Sequence, residues 1–352
     1  MKLIFGLSFF WLVISLPIVA QNYSIEDHFF DNLGAVFFTD QGLPVLAQDG
    51  KDHKGIVLEP ETGYQKKLIR EGKGPGEISK VYGYGFDRIN NELCLIGIGL
   101  RLVCSDLNGN TTKDMRIPWF KVSGVSSPFR FYIEEQELLL PIRSLLSVEE
   151  PDNELKVAAI SQKSDLEKVE FLSLQFEDLG LDYLDELSLA NNIFIKPKVL
   201  RLSANVIMVA IPGLPYFYFF KNGEYRSKEL ITTDYEVRIE VSIKPEYPSP
   251  GVLTPANLNN LQRLDDNHFI VARGNSFQKT PLGIDLYRFD LKGPSVKVEQ
   301  VDQMNIENLP EGFSEPNVTI HDEKAYIITN YIYFAMEISV LEVGGLLNRI
   351  ME

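Results

Sequence analysis

The side chains able to do covalent or metal chemistry in this chain are few and scattered. Its four histidines, His28, His53, His268 and His321, form no His-x-x-x-His or Glu-x-x-His cluster, whereas a zinc centre needs three or four ligands brought together. His268 and His321 fall at equivalent hairpin positions of two related sequence units, which reads as two solvated turn residues. The closest approach to a nucleophile elbow, Gly124-Val125-Ser126-Ser127-Pro128, lacks the final Gly and the strand-to-helix setting. Asp106-Leu107-Asn108-Gly109-Asn110 approaches a calcium loop, but its Gly comes too early and a Glu ligand is missing, so it reads as a strand-ending turn. No catalytic set is assigned, no metal ligand is named and no cofactor is expected, although calcium is left open.

Binding chemistry is better represented. When the ends of the second strands of the repeating units are aligned, Asp49, Arg143, Arg273, Asn330 and Tyr331 occupy comparable places, and Arg101 and Asn275 lie just beyond. Long polar or planar side chains in such places can orient a ligand at the mouth of a channel. The competing reading is that these groups cap backbone or pair with the abundant carboxylates, as most surface charges do. The aromatic run Tyr216-Phe217-Tyr218-Phe219-Phe220 could serve as a carbohydrate platform, but reads better as a strand packed on both faces.

These residues must be positioned by strands, and the strands by what joins them. Between two apolar runs lies Arg70-Glu71-Gly72-Lys73-Gly74-Pro75-Gly76-Glu77-Ile78. Three glycines and a proline cannot continue a strand, so the stretch predicts a tight crossover between two strand groups. A phosphate loop would need a helix opening at once, and the Walker type also needs Gly-Lys-Ser/Thr; here strand-like Tyr82-Gly83-Tyr84 follows instead. Gly72, Gly74, Pro75 and Gly76 resemble the Gly-x-Gly-Pro-Gly-x-Phe crossover of NHL-type repeats and of secreted bacterial six-bladed propellers of TolB-like architecture, with Ile78 in place of Phe. That resemblance implies a blade junction and no particular activity.

A unit of strand, polar turn, strand, loop and third strand recurs along the chain, most clearly at Tyr84–Gly109 and again, for example, at Asn260–Gly293. Six such units of about 45 to 65 residues fit four-stranded propeller blades, none of which can bury both faces alone. The expected fold is therefore an all-β, six-bladed β-propeller of antiparallel blades. The blades are placed at about 33–70, 80–118, 128–172, 197–232, 258–302 and 315–345. Residues 22–30 are expected to supply the outer strand of the last blade and so close the ring, since an open ring leaves an unpaired edge. Insertions at 176–192 and 233–258 break the spacing. Both fall between blades, and loops of that length are usually functional or disordered.

Composition narrows the partners. Among 352 residues, 45% are hydrophobic and 24% charged, which are globular values, and the formal net charge is −15. That sign repels phosphate backbones, so nucleic acid is not expected as a partner. Residues 1–20 have the layout of a secretory signal peptide, with Lys2, an apolar run and Ala20 before the cut. The mature chain, a propeller over 21–345 with a tail at 346–352, is expected to be exported to the periplasm or beyond, without a membrane span, as a monomer. Export permits a Cys94–Cys104 bridge, since a hairpin closing at Gly97-Ile98-Gly99 would place the two on facing strands; two merely buried cysteines are the equal alternative.

The functional expectation is a non-catalytic binding or scaffold protein. It would recognise a protein or carbohydrate ligand on the face that carries the Gly72–Gly76 crossover. The alternative is a calcium- or zinc-assisted hydrolase or lyase at the channel mouth.

Overall fold

A computed structural model describes residues 33–342 apart from several connecting segments, the longest being 118–128, 147–153, 180–192, 232–242, 249–257, 307–316 and 330–336. The described chain is almost wholly strand, and its hairpins fall where polar turns separate apolar runs. The first sheet holds Leu33–Phe38, Pro44–Gln48, His53–Glu59 and Tyr64–Glu71, extended by Glu77–Ile78. The second holds Val81–Asp87, Glu92–Gly97, Arg101–Asp106 and Thr111–Arg116. The third, fourth and fifth begin at Tyr132, Lys198 and Leu258, each with four strands in chain order. The sixth has three, Asn317–His321, Lys324–Thr329 and Glu337–Glu342.

Each interface between consecutive sheets is a separate apolar core, because the middle strands are buried on both faces and so read as continuous hydrophobic runs. In the strand Tyr216–Lys221, Tyr218 and Phe220 enter the core shared with the third sheet, beside Leu139, Val157 and Leu172. Phe217 and Phe219 enter the core shared with the fifth, beside Phe269 and Tyr287. The aromatic run is thus a packed strand and not a sugar platform. The fifth and sixth sheets share Ile270, Leu286, Val318 and Ile327, and Phe38 of the first sheet packs on Tyr326 of the sixth. Outermost strands switch to a polar pattern, as in Thr111–Arg116, where no side chain is buried.

Two expectations need correction. Five sheets are complete blades of four or more strands, not six, because the sixth group has only three strands among the described residues. Residues 22–30, expected to add its fourth, lie outside the described residues, as do the signal-peptide segment and the tail. Phe129–Arg130, assigned by sequence to the third blade, instead runs parallel to Val81–Asp87 and extends the second sheet, with Arg130 opposite Tyr84. The innermost strands approach so closely there that Gly34 is required: a Cβ at that position would lie 2.1 Å from the Tyr84 ring.

Cys94 and Cys104 are directly opposed in the Glu92–Gly97/Arg101–Asp106 hairpin, with Cα atoms 4.0 Å apart, and are joined in a disulfide. Both are fully buried, in the core between the second and third sheets. The bridge closes a loop with a sequence separation of 10. Replacing both cysteines by alanine should therefore lower the unfolding free energy by about 2–3 kcal/mol, the order for so short a loop. Denaturant titration of the two proteins checks this, and thiol titration of the unreduced, denatured wild type should find no free cysteine.

Candidate functional site

The Gly72–Gly76 crossover is fixed by three side chains. Glu77 accepts from the Gly74 N–H at 2.9 Å, and Asp114, on the outer strand of the second sheet, accepts from the Gly76 N–H at 2.8 Å. Arg101 grips Asp114 with two nitrogens, Nε at 2.6 Å, and reaches back to the carbonyls of Lys73 at 3.2 Å and Gly74 at 2.7 Å. Gly76 has φ of 71°, and a Cβ there would lie 2.1 Å from Thr111 Oγ1, so both conformation and space demand glycine. Ile78 is buried between the first two sheets, filling the apolar place at the end of the motif. Pro75 and Lys73 stay exposed. The hydrogen bond with Arg101 holds the Asp114 carboxyl below its ordinary range, against the opposing effect of burial, and raises Arg101 in turn.

A second polar group lies where the first strands converge. Arg130 sends its guanidinium across the molecule, from the edge of the second sheet to the innermost strands of the first, fifth and sixth. Nη2 donates to the Val36 carbonyl at 3.2 Å and to Thr319 Oγ1 at 3.1 Å, while Nη1 lies 3.4 Å from Asn260 Oδ1. The Phe37 ring sits beneath it, 5.1 Å from Cζ. The Thr319 hydroxyl donates to the Val36 carbonyl at 3.0 Å, and Asn260 donates to the Val318 carbonyl. Gln262 exchanges two bonds of 2.7 Å with the Ile320 backbone. Burial, helped by the charge of Arg88, pushes Arg130 down to about 9, which leaves it cationic at neutral pH.

The residues singled out by sequence are not brought together by these contacts. Arg101 is spent on the crossover. Arg273 donates from Nε to both oxygens of Asp285, at 2.8 and 3.0 Å, and from Nη2 to Asn305 at 2.9 Å. This pair lies along the blade: Asp285 is 5% exposed, and burial raises its carboxyl while Arg273 pulls the other way. Asp49, Arg143, Asn330 and Tyr331 lie outside the described residues, as does the Ser126 segment. Asn275 closes its strand opposite Thr280. Arg130 was the residue that sequence reasoning passed over. Its one signal was a cation opening an otherwise apolar strand.

His28 lies outside the described residues; His268 and His321 are turn residues less solvated than the sequence suggested. His268 is buried and its Nδ1 meets Asp265 at 2.9 Å, while His321 stacks on Phe38 at 4.5 Å. Burial, then Lys67, lowers His53. Asp106 accepts from the amides of Asn108 and Asn110, so its turn closes on itself. Among the described residues the one cluster of ligand-type atoms is Glu92 with Cys94 and Cys104, and its two sulfurs are already bonded to each other.

No protein-family model matches the chain, and no curated protein is similar to it in sequence. In structure it is similar to the β-propeller domain of Cps50 (Swd1) from Myceliophteria thermophila, at 10% identity and a TM-score of 0.51, over 89% of this chain and 84% of that one. A Bacteroides fragilis protein described as exported follows at 9% identity and 0.48, over 86% and 80%. The WD40 propeller domain of Doa1 is at 11% identity and 0.41, over 89% and 93%. At such identities the first likeness shows the fold, an all-β propeller, and the two lower scores add nothing to it.

Arg101→Ala should loosen the crossover without unfolding the blades. Tryptic cleavage after Lys73 should become about tenfold faster or more, as expected when a local opening loses charge-assisted bonds. Because the Asp114 carboxyl is depressed, its bond to the Gly76 N–H is present above the ordinary carboxylate range, about pH 4, and is lost as pH falls through the depressed value. Amide exchange at Gly76 followed against pH reads this directly, and Asp114→Asn should shift or abolish the transition.

Proposed function

We propose that this protein is an exported, non-catalytic binding propeller that recognises a protein or glycan ligand on the face carrying the Gly72–Gly76 crossover. The observation that carries the reading is the rigidity of that crossover: four side chain–backbone bonds hold the loop while Lys73 and Pro75 face solvent. A loop fixed before the ligand arrives loses little entropy on binding, which is how rigid scaffolds gain affinity. Export is supported by the signal-type pattern of residues 1–20 and by a disulfide that suits an oxidising compartment. No helix among the described residues is long and apolar enough to cross a membrane.

The same reading takes Asn317–Glu342 as a sixth blade whose outer strand comes from residues 22–30, in the manner of the TolB-like and NHL-like propellers. Its support is the packing of Tyr326 on Phe38 and the Thr319 bond to Val36, which bring the last sheet to the first.

The test uses the mature chain as bait in affinity capture from the envelope fraction of its host and on a glycan array. A reproducible ligand should be lost in Lys73→Glu and kept in Arg288→Glu, an exposed position on a blade. Retention of that ligand by both variants would place recognition elsewhere.

A further inference from the structure

Arg130 differs from the blade arginines in what surrounds it. Arg101, Arg201, Arg273 and Arg288 each meet a carboxylate: Asp114, Glu137, Asp285 and Glu299. Arg130 meets a carbonyl, a hydroxyl, an amide oxygen and an aromatic face, all neutral. Its Nε–H is buried and has no acceptor among the described residues. The contact from Nη1 to Asn260, at 3.4 Å, is at the far limit of a hydrogen bond. Asp87, buried at the end of the neighbouring strand, turns its carboxylate onto Asn90, at 2.9 Å from Nδ2. Arg130 is half-buried, and a cation drawn partly out of water without a counter-charge is costly, a cost that falls when an anion joins it.

We propose that the Arg130 guanidinium is an anion site where the inner strands converge, at which a small oxyanion supplies the acceptor that the Nε–H lacks. The site is built rather than incidental. Four innermost strands from four sheets hold the guanidinium in place, and Phe37, itself stacked on Phe86 at 5.7 Å, backs its face. A planar, pre-oriented guanidinium offers paired donors to a carboxylate or phosphate group. Arg88, exposed in the turn that follows Val81–Asp87, adds positive field in a chain that is otherwise strongly acidic. The site is separate from the crossover face and needs no macromolecular partner, so it stands or falls independently of the docking proposal.

Titration calorimetry of the mature protein with inorganic phosphate and with acetate, each against sodium chloride at matched ionic strength, tests it. Saturable one-to-one binding is expected. Phosphate alone would mark a free inorganic anion, and acetate as well would mark the carboxylate of an organic ligand. Arg130→Gln should weaken binding about tenfold or more, the order for one charge-assisted contact, while Arg288→Gln, at an exposed blade position, leaves it unchanged. Should Arg130→Gln fail to fold, Arg88→Ala, at an exposed position, should still weaken binding about two- to threefold, the order for one exposed charge. Binding of neither anion, or affinities that Arg130→Gln and Arg88→Ala both leave unaltered, would overturn the assignment.

Discussion

Phe217 and Phe219 leave the fourth sheet on one side and Tyr218 and Phe220 on the other, and all four are essentially out of water. A strand that must bury both faces can do so only between two further sheets, and each of those then has the same need. Burying one such side chain is worth about 1.5–3 kcal/mol, so a single blade standing alone would leave several times that exposed on each face. Radial stacking satisfies the requirement with one unit repeated, and the cores then form between consecutive sheets rather than within them. The polar outer strands follow from the same constraint, since only they end at solvent.

That constraint also explains how the sheets are joined. Successive blades need a short connection from an outer strand to the next inner one, and Gly72–Ile78 supplies it by turning sharply and then returning Ile78 to the core. Arg101 and Asp114 belong to the blade that the crossover leads into, so the second blade clamps the loop that delivers it. A charged pair at this place therefore ties two blades together. On a hairpin tip it would secure nothing beyond its own turn.

The parts of this design that were legible in the sequence are the local ones. Hairpin turns, the crossover and the facing cysteines are set by residues within about a dozen positions of one another, where turn chemistry and side-chain parity leave few choices. The Arg101 pairing with Asp114, 13 positions away, was within reach of a hairpin register but was outweighed by its position near the channel mouth. The parallel strand Phe129–Arg130 was not legible, because parallel pairing leaves no local turn signal. Arg130 itself was hidden for a stronger reason: its partners lie 94, 130 and 189 residues away, on three other sheets, and only tertiary packing brings them together.

Sequence position alone cannot separate a cation that holds the fold from one that awaits a ligand, but the charge of its neighbours can. Arg273 and Arg101 meet carboxylates from their own blades, so the chain itself completes the pair and little attraction is left for anything else. Where the inner strands converge, Arg130 meets only neutral acceptors among the described residues, in a chain that carries 49 acidic residues. A buried ion pair is often replaceable by apolar residues at no loss of stability. An unpaired cation is harder to account for by stability, since a Leu or Met would fill the same space without the desolvation cost. Its contacts with the inner strands of three further sheets leave its charge unmatched among the described residues, which is the feature on which the proposed anion site rests.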